Sequence, residues 1–264
     1  MEEKVKMPVL FVGHGSPMNA IEENEFVQVW REVAATIPKP EAILCISAHW
    51  ETRGTMVTSM ERPQTIHDFG GFPRELYQAE YPANGDPALA GETRNKITKA
   101  QIGLDAGWGL DHGCWSVLAR MYPEADIPVV EMSLDYSQGP QYHYELAREL
   151  SFLRNRGVLV MGSGNIVHNL RLIDWRGGGK PGNGFDWALE ADETTKKLIL
   201  SGDHKQLINF RSLGRAFDLA IPTPEHYLPL LYILALQDDN EKIEFFNSQA
   251  VLGSLTMTSV RIGG

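Results

Sequence analysis

Strand-length apolar runs that end in small residues and a histidine constrain this chain more than any other feature. The first is Pro8-Val9-Leu10-Phe11-Val12, which runs straight into Gly13-His14-Gly15-Ser16-Pro17. A continuous apolar run bounded by turn residues predicts a strand buried on both faces, as in parallel sheets covered by helices. Over residues 22–36, Phe26, Val27, Trp30, Val33 and Ala34 recur at helical spacing, and Pro38 and Pro40 close that helix. Residues 42–47 form a second apolar run that ends in Ala48-His49-Trp50. Strand, helix and strand in that order predict a parallel pair joined by a right-handed crossover. His14 and His49 then share one edge of the sheet, beyond the strands' carboxyl ends, where ligands bind in open α/β folds.

The remainder extends the same pattern. Residues 55–60, 127–134 and 158–161 read as further strands, with tail strands over Ile243–Phe246 and 254–262. Helices are expected over 87–100, 114–121, 141–156, 187–200 and 205–213. A last one opens at Pro224, with Thr223 as its N-cap, and runs to Leu236. The Pro- and Gly-rich stretch 61–73 predicts a loop whose His67, Asp68, Phe69 and Phe72 either rim a site or pack on one another. Residues 176–184 predict a flexible surface loop, and residues 1–7 a flexible N-terminus. No repeat, low-complexity tract or linker divides the 264 residues, so a single catalytic domain over 1–264 is expected. The fold class is α/β, with a central mostly parallel or mixed sheet flanked by helices.

Charge and cysteine usage narrow the partners. A formal net charge of −10 argues against nucleic acid or an anionic membrane as partner. Cys45 and Cys114 lie in apolar segments and match no zinc-finger or redox spacing, which suggests reduced core thiols in a cytoplasmic protein. The charged start does not read as a signal peptide, and nothing approaches the roughly 20 apolar residues of a membrane span. A monomer and a small homo-oligomer both remain open.

Eight histidines occur. His143 and His204 fall in helical contexts and read as structural; His67 is open. His14, His49, His112, His168 and His226 all sit at strand ends or helix starts beside Gly, Ser, Asn or Pro. Imidazole suits Zn, Cu, Fe and Ni, and the absence of cysteine motifs argues against a thiolate site. A mononuclear metal centre assembled by the fold, a metal-free acid/base pair, and scattered structural histidines are the three readings. Gly162-Ser163-Gly164-Asn165 lacks both the dinucleotide fingerprint and P-loop spacing. Cys114 does not face His112 from two positions along a helix, so a thiol nucleophile is disfavoured.

The segments GHGSP, SAHW, TIHDFGGFP, WG-x-DHG-x-W, SGN-x-VHN and PTPEHYLPLLY, in this order from about Pro8 to Ile262, resemble the 4,5-DOPA extradiol dioxygenase family. That family belongs to the class III extradiol ring-cleavage enzymes, relatives of the protocatechuate 4,5-dioxygenase catalytic subunit. A GHGS opening alone would also suit class II metal chelatases, which would not be expected to carry the later segments. The resemblance implies one divalent metal at the C-terminal edge of the strands, Fe(II) for activity or Zn(II) as found bound. It implies His14, His49 and His226 as ligands, with Glu225 an alternative third ligand. His168 is then a fourth ligand or an acid/base, and His112 the other acid/base. A small aromatic diol and O2 would be the substrates and a semialdehyde the product. Trp50, His67, Phe69, Phe72 and Trp108 are candidate walls for a flat ring, and the glycines around His14 would leave room for it. Plant DOPA dioxygenases carry an HNPSTP-type sequence where this chain has His168-Asn169-Leu170-Arg171, so the substrate need not be DOPA. A zinc hydrolase, or a chelatase-like metal-binding protein without turnover, could use the same histidines.

Overall fold

Alternate residues of the apolar runs bury into two different cores. Val9, Phe11, Leu44, Ile46, Val158 and Val160 lie in one, while Leu10, Val12, Ile43, Cys45, Leu159 and Met161 lie in the other. A strand points successive side chains to opposite faces, so both faces of the sheet are covered. That is why these runs read as unbroken apolar sequence.

The structure, a computed structural model, describes residues 6–177 and 181–264. In chain order it runs β1 (Val9–Gly13), α1 (Glu25–Ala35), β2 (Ala42–Thr52), β3 (Met56–Thr58), α2 (Arg74–Tyr77), α3 (Pro87–Lys96) and β4 (Gly103–Asp105). There follow α4 (His112–Met121), β5 (Val129–Asp135), α5 (Pro140–Arg148), α6 (Phe152–Asn155), β6 (Val158–Gly164) and α7 (Asp186–Leu200). The chain ends with α8 (His204–Ile208), α9 (Arg215–Ala220), α10 (Leu228–Ala235), β7 (Ile243–Phe246), β8 (Ala250–Val251), β9 (Leu255–Thr256) and β10 (Ser259–Ile262).

Eight strands form one mixed sheet in the order β4-β3-β5-β2-β6-β1-β10-β7. Its centre, β5, β2, β6 and β1, is parallel, while β10 pairs antiparallel with β1 and β3 antiparallel with β5. One face packs against α5, α7, α9 and α10 through Leu146, Ala191, Phe217 and Ile233. The other packs against α1 and α4 through Phe26, Trp30, Trp115 and Leu118. Among the described residues, no helix is long and apolar enough to cross a membrane.

Several expectations need correction. β6 lies between β1 and β2, so the expected pair is parallel but not adjacent. β2 continues through His49 and Trp50, and its pairing with β5 slips between Ile46 and Glu51, the signature of a bulge. The helix expected over 141–156 is two, α5 and α6. Residues 224–227 form a turn that precedes α10, in which the Pro224 carbonyl accepts from Tyr227 and Leu228 N–H; Thr223 gives its hydroxyl hydrogen to Glu225 instead of capping. α2, β4, α9 and β8 were not predicted. Of the expected flexible N-terminus, residues 1–5 lie outside the described residues, but Met7 is buried and its backbone bonds both the carbonyl and the Nε of Arg154. Of the expected loop at 176–184, residues 178–180 lie outside as well, whereas Gly182 N–H donates to the Ala250 carbonyl and Gly184 bridges Gly253.

Candidate metal centre

Parallel β1, β2 and β6 deliver their carboxyl ends to one edge of the sheet. His14 follows β1, and its N–H donates to the Gly164 carbonyl at 3.0 Å. The flanking glycines answer a steric demand from behind: a Cβ would meet the Met257 carbonyl oxygen at 2.6 Å from Gly13 and its Sδ at 2.4 Å from Gly15. They admit Met257, which is a different purpose from the room for substrate expected above. His49 stands in the β2 bulge. His112 is the first residue of α4, earlier than the sequence pattern suggested, because Asp111 caps the helix by accepting from Cys114 N–H. His226 lies in the turn before α10, and its carbonyl accepts from Asn165 N–H at 2.9 Å, just past β6. His168 is held by its N–H on the Ala220 carbonyl.

Four of these rings crowd one place. The ring centres of His14, His49 and His226 form a nearly equilateral triangle, 5.0, 5.0 and 5.4 Å on its sides. With metal–nitrogen distances of about 2.0–2.1 Å, three imidazoles around one tetrahedral ion sit roughly 5 Å apart centre to centre. His112 also has a ligand atom within 4.8 Å of those of His14 and His49. Its ring centre is only 3.9 Å from that of His49, too close for two ligands splayed around one ion, so His226 fits the third position better.

Hydrogen bonds set which nitrogen each ring offers. Ser163 Oγ gives its one hydrogen to the Gly113 carbonyl, so it accepts from His14 Nδ1–H at 2.9 Å. Glu225 Oε1 accepts from His226 Nδ1 at 3.1 Å, and Asp68 Oδ2 from His112 Nδ1 at 2.9 Å, with His49 Nδ1 at 3.5 Å from the same oxygen. His14, His226 and His112 thus keep Nε2 as the bare lone pair, while His49 Nδ1 approaches Asp68 without a hydrogen bond. His14 Nε2 and His49 Nε2 then face each other at 3.2 Å, and buried His226 Nε2 has no protein partner. The His14–His49 contact is satisfied either by a proton on His49 Nε2 or by a cation shared by two bare nitrogens, and a divalent ion with imidazole affinity fits this donor set and gives His226 Nε2 a partner. Burial, with mutual repulsion second, holds His14 and His226 well below the usual histidine pKa and His49 at about 3, so all three are neutral at pH 7.

His168 stacks on His226 with ring centres 3.5 Å apart and planes 9° from parallel. It lines a cavity of about 210 Å3 with Asn169, Arg171, Pro222, Thr223 and Glu225. Glu225 Oε1 accepts from both His226 and Thr223, and His168, Glu225 and His226 have ligand atoms within 4.8 Å of one another. Trp50 is buried and stacks on half-buried Trp108, with 5.6 Å between centres. His67 donates Nε2–H to the Ala79 carbonyl and touches Phe69, Tyr77 and Trp115, while Phe69 meets the His112 ring edge-on. The 61–73 loop is therefore packed by its own aromatics and also reaches the histidines, through Asp68. His143 and His204 bond Tyr232 and Tyr144 and stay structural. Both cysteines are buried and free, and burial pushes the Cys114 thiol up, which removes it as a nucleophile.

Sequence reasoning named Asp68 and Glu225 but missed the other groups that orient the histidines. Glu131, fully buried in β5, accepts from Asp111 N–H and Trp108 Nε1–H, fixing the entry to α4; burial raises it well above the carboxylate range. Asp111, which accepts from Ser47 Oγ at 2.6 Å, is pushed up to about 6 by burial and then by Asp68. A glutamate amid the apolar run Ile127-Pro128-Val129-Val130 and Met132 was the available signal.

Comparisons with known proteins agree on one family. A family described as the catalytic LigB subunit of aromatic ring-opening dioxygenase matches residues 8–262. The chain is 47% identical over 262 residues to an Escherichia coli K12 protein named 4,5-DOPA dioxygenase extradiol, covering 98% of this chain and 95% of that one. It is 34% identical to a Beta vulgaris protein of the same name, covering 94% and 92%. The crystal structure of an uncharacterized Escherichia coli K12 protein superposes with a TM-score of 0.84 at 41% identity, covering 97% of this chain and all of the other.

Proposed function

The chain belongs to the LigB family of aromatic ring-opening dioxygenases, and on that premise we propose that it is a metal-dependent extradiol enzyme. Its substrate would be a catechol of the 4,5-DOPA type, opened with O2 to a semialdehyde. The observation that carries this reading is the gathering of three neutral imidazoles, His14, His49 and His226, with ring centres 5.0–5.4 Å apart, His14 and His49 meeting through Nε2 and His226 Nε2 left without a protein partner. These three residues would hold one divalent metal; Zn(II) suits the donors as well as Fe(II) does. Fe(II) would supply the redox chemistry and the open positions at which a diol's two oxygens and O2 meet.

The remaining residues supply protons and geometry. His112, with Nδ1–H engaged by Asp68, presents a bare Nε2 beside the triad and would take a catechol hydroxyl proton. The near-parallel stack favours the acid/base reading of His168 over a fourth ligand. Stacked face to face, the two rings set their lone pairs side by side instead of aiming them at one point. Glu225 serves by orienting His226, not as a ligand. Phe69, edge-on to the His112 ring, is the candidate wall residue that touches a site histidine.

The test is oxygen uptake with a panel of catechols after anaerobic Fe(II) loading, together with metal retention in histidine variants. Uptake with appearance of a yellow ring-opened product is expected. His14→Ala, His49→Ala and His226→Ala should lose bound metal, while His112→Ala keeps it and loses about 10²–10⁴ in rate. A zinc hydrolase or a metal-carrying protein would retain metal with no uptake from any catechol, and that result would overturn the reading.

A further inference from the structure

We propose that Asp68 is a positioning residue whose carboxylate fixes the tautomer of His112 and ties that ring to His49. The inference rests on the reading of His112 as a proton acceptor beside the metal triad. Asp68 Oδ1 accepts the His112 backbone N–H at 2.8 Å, and Oδ2 accepts its Nδ1–H at 2.9 Å. Two-point attachment to one residue fixes the ring's torsion as well as its protonation pattern. Oδ2 also lies 3.5 Å from His49 Nδ1, so one oxygen sits behind both rings. The side chain is 18% accessible.

The loop that carries Asp68 is itself fastened to the entry of α4. Ile66 N–H donates to the Leu110 carbonyl at 2.7 Å, Leu110 N–H to the Gln64 carbonyl at 2.8 Å, and Trp115 Nε1–H to the Ile66 carbonyl at 2.8 Å. On the other side of Asp68, Phe69 packs against the rings of His112 and Trp115. The His112 N–H is one of the first-turn donors that a helix cannot satisfy internally, and a carboxylate is favoured there by the helix dipole. Anchors on both sides of one acidic residue, aimed at one histidine, are what a device for holding that histidine requires.

A carboxylate accepts at both oxygens, so His112 must carry its proton on Nδ1 and leave Nε2 bare. Asparagine has one acceptor and one donor. Its oxygen would keep the backbone N–H, and its NH2 would then face Nδ1, which can pair only by giving up its hydrogen. The ring would switch to the Nε2–H form, which has no lone pair to offer at the reacting side. Glutamate keeps two acceptors.

The experiment compares Asp68→Asn and Asp68→Glu with the parent. Fe(II)-loaded protein is used for kinetics, and zinc-loaded, 15N-labelled protein for long-range 1H–15N spectra of the histidine rings. Asp68→Asn is expected to lower kcat by about 10²–10⁴ with KM changed less than about threefold. It should retain one zinc per chain and move the His112 proton from Nδ1 to Nε2. Asp68→Glu is expected to recover most of kcat and the parental tautomer. An unchanged tautomer in Asp68→Asn, or equal loss of metal and rate in both variants, would overturn the proposal. The spectra need no turnover: a parent that opens no catechol would count against the proposed function, and the tautomer would still decide the role of Asp68.

Discussion

Replacing Ser163 with alanine tests the idea that the histidines are held in one tautomer by the groups behind them. Ser163 is fully buried at the end of β6, donating to the Gly113 carbonyl at 2.5 Å and accepting from His14 Nδ1 at 2.9 Å. Alanine removes one oxygen and strands the His14 ring N–H, while the Gly113 carbonyl keeps its bond inside α4, and the space freed by one oxygen is less than a water needs. A stranded buried group costs about 1–3 kcal/mol, so the metal-free protein should lose about that much of a total near 5–15. A second effect falls on metal binding. Freed from Ser163, His14 can carry its proton on Nε2, and losing such an outer partner costs about 10–100-fold in metal affinity. Urea unfolding of chelator-treated protein reads the first effect, and zinc competition against a chromophoric chelator reads the second. Ser163→Thr, which keeps the hydroxyl, should restore affinity more than stability, since its methyl enters a filled core. Stability within about 0.5 kcal/mol of the parent, with zinc affinity unchanged, would refute the hydrogen-bond reasoning.

Two further outcomes follow from steric and proton bookkeeping. A Cβ at Gly113 would lie 2.6 Å from Ser47 Oγ and 2.9 Å from His49 Cδ2, so Gly113→Ala should push α4 off β2, costing about 1–3 kcal/mol and weakening zinc binding. Gly91→Ala, in α3 with nothing within 4 Å of the added carbon, should instead stabilise by about 0.5–1 kcal/mol; the two variants behaving alike in urea would refute the contrast. Acid should destabilise the metal-free protein. Burial lowers His14 and His226 well below the usual value, His49 to about 3, and His143 and His168 to about 4. Unfolded histidines bind protons near 6.5, so this stability is present above that pH and is lost as pH falls toward the folded values. Asp111, raised to about 6, and Glu131 and Asp192, raised by burial, run the other way, but they are three groups against five. Each histidine contributes a loss on the order of 2 kcal/mol by pH 5, and urea midpoints that do not fall between pH 6.5 and 5.5 would refute the assignment.

The histidines were legible and the pairing of each with its partner was not, for a physical reason. His14, His112 and His226 interrupt apolar patterns at turns, and a turn is a local event that residue type announces. Even the error over β2 was harmless: His49 looked like the end of a strand because it breaks the apolar run, and as a bulge residue it still reaches the same edge. The order of β6 between β1 and β2 depends on which parallel neighbour each strand chooses, and nothing within a strand states that. The orienting groups are harder still. Asp68 meets His112 across 44 residues and Ser163 meets His14 across 149, so no spacing encodes either pair. Glu225, adjacent to His226, was visible as an ambiguity because it is local. Such distant contacts leave a different trace: a polar residue that a buried strand or an aromatic loop has no structural reason to carry. Glu131 in β5, Ser163 in β6 and Asp68 among the loop aromatics are all of that kind. Histidine lone pairs become a site only when each ring's other nitrogen is engaged, so a search for the site in sequence should weigh misplaced acids and hydroxyls beside the histidines themselves.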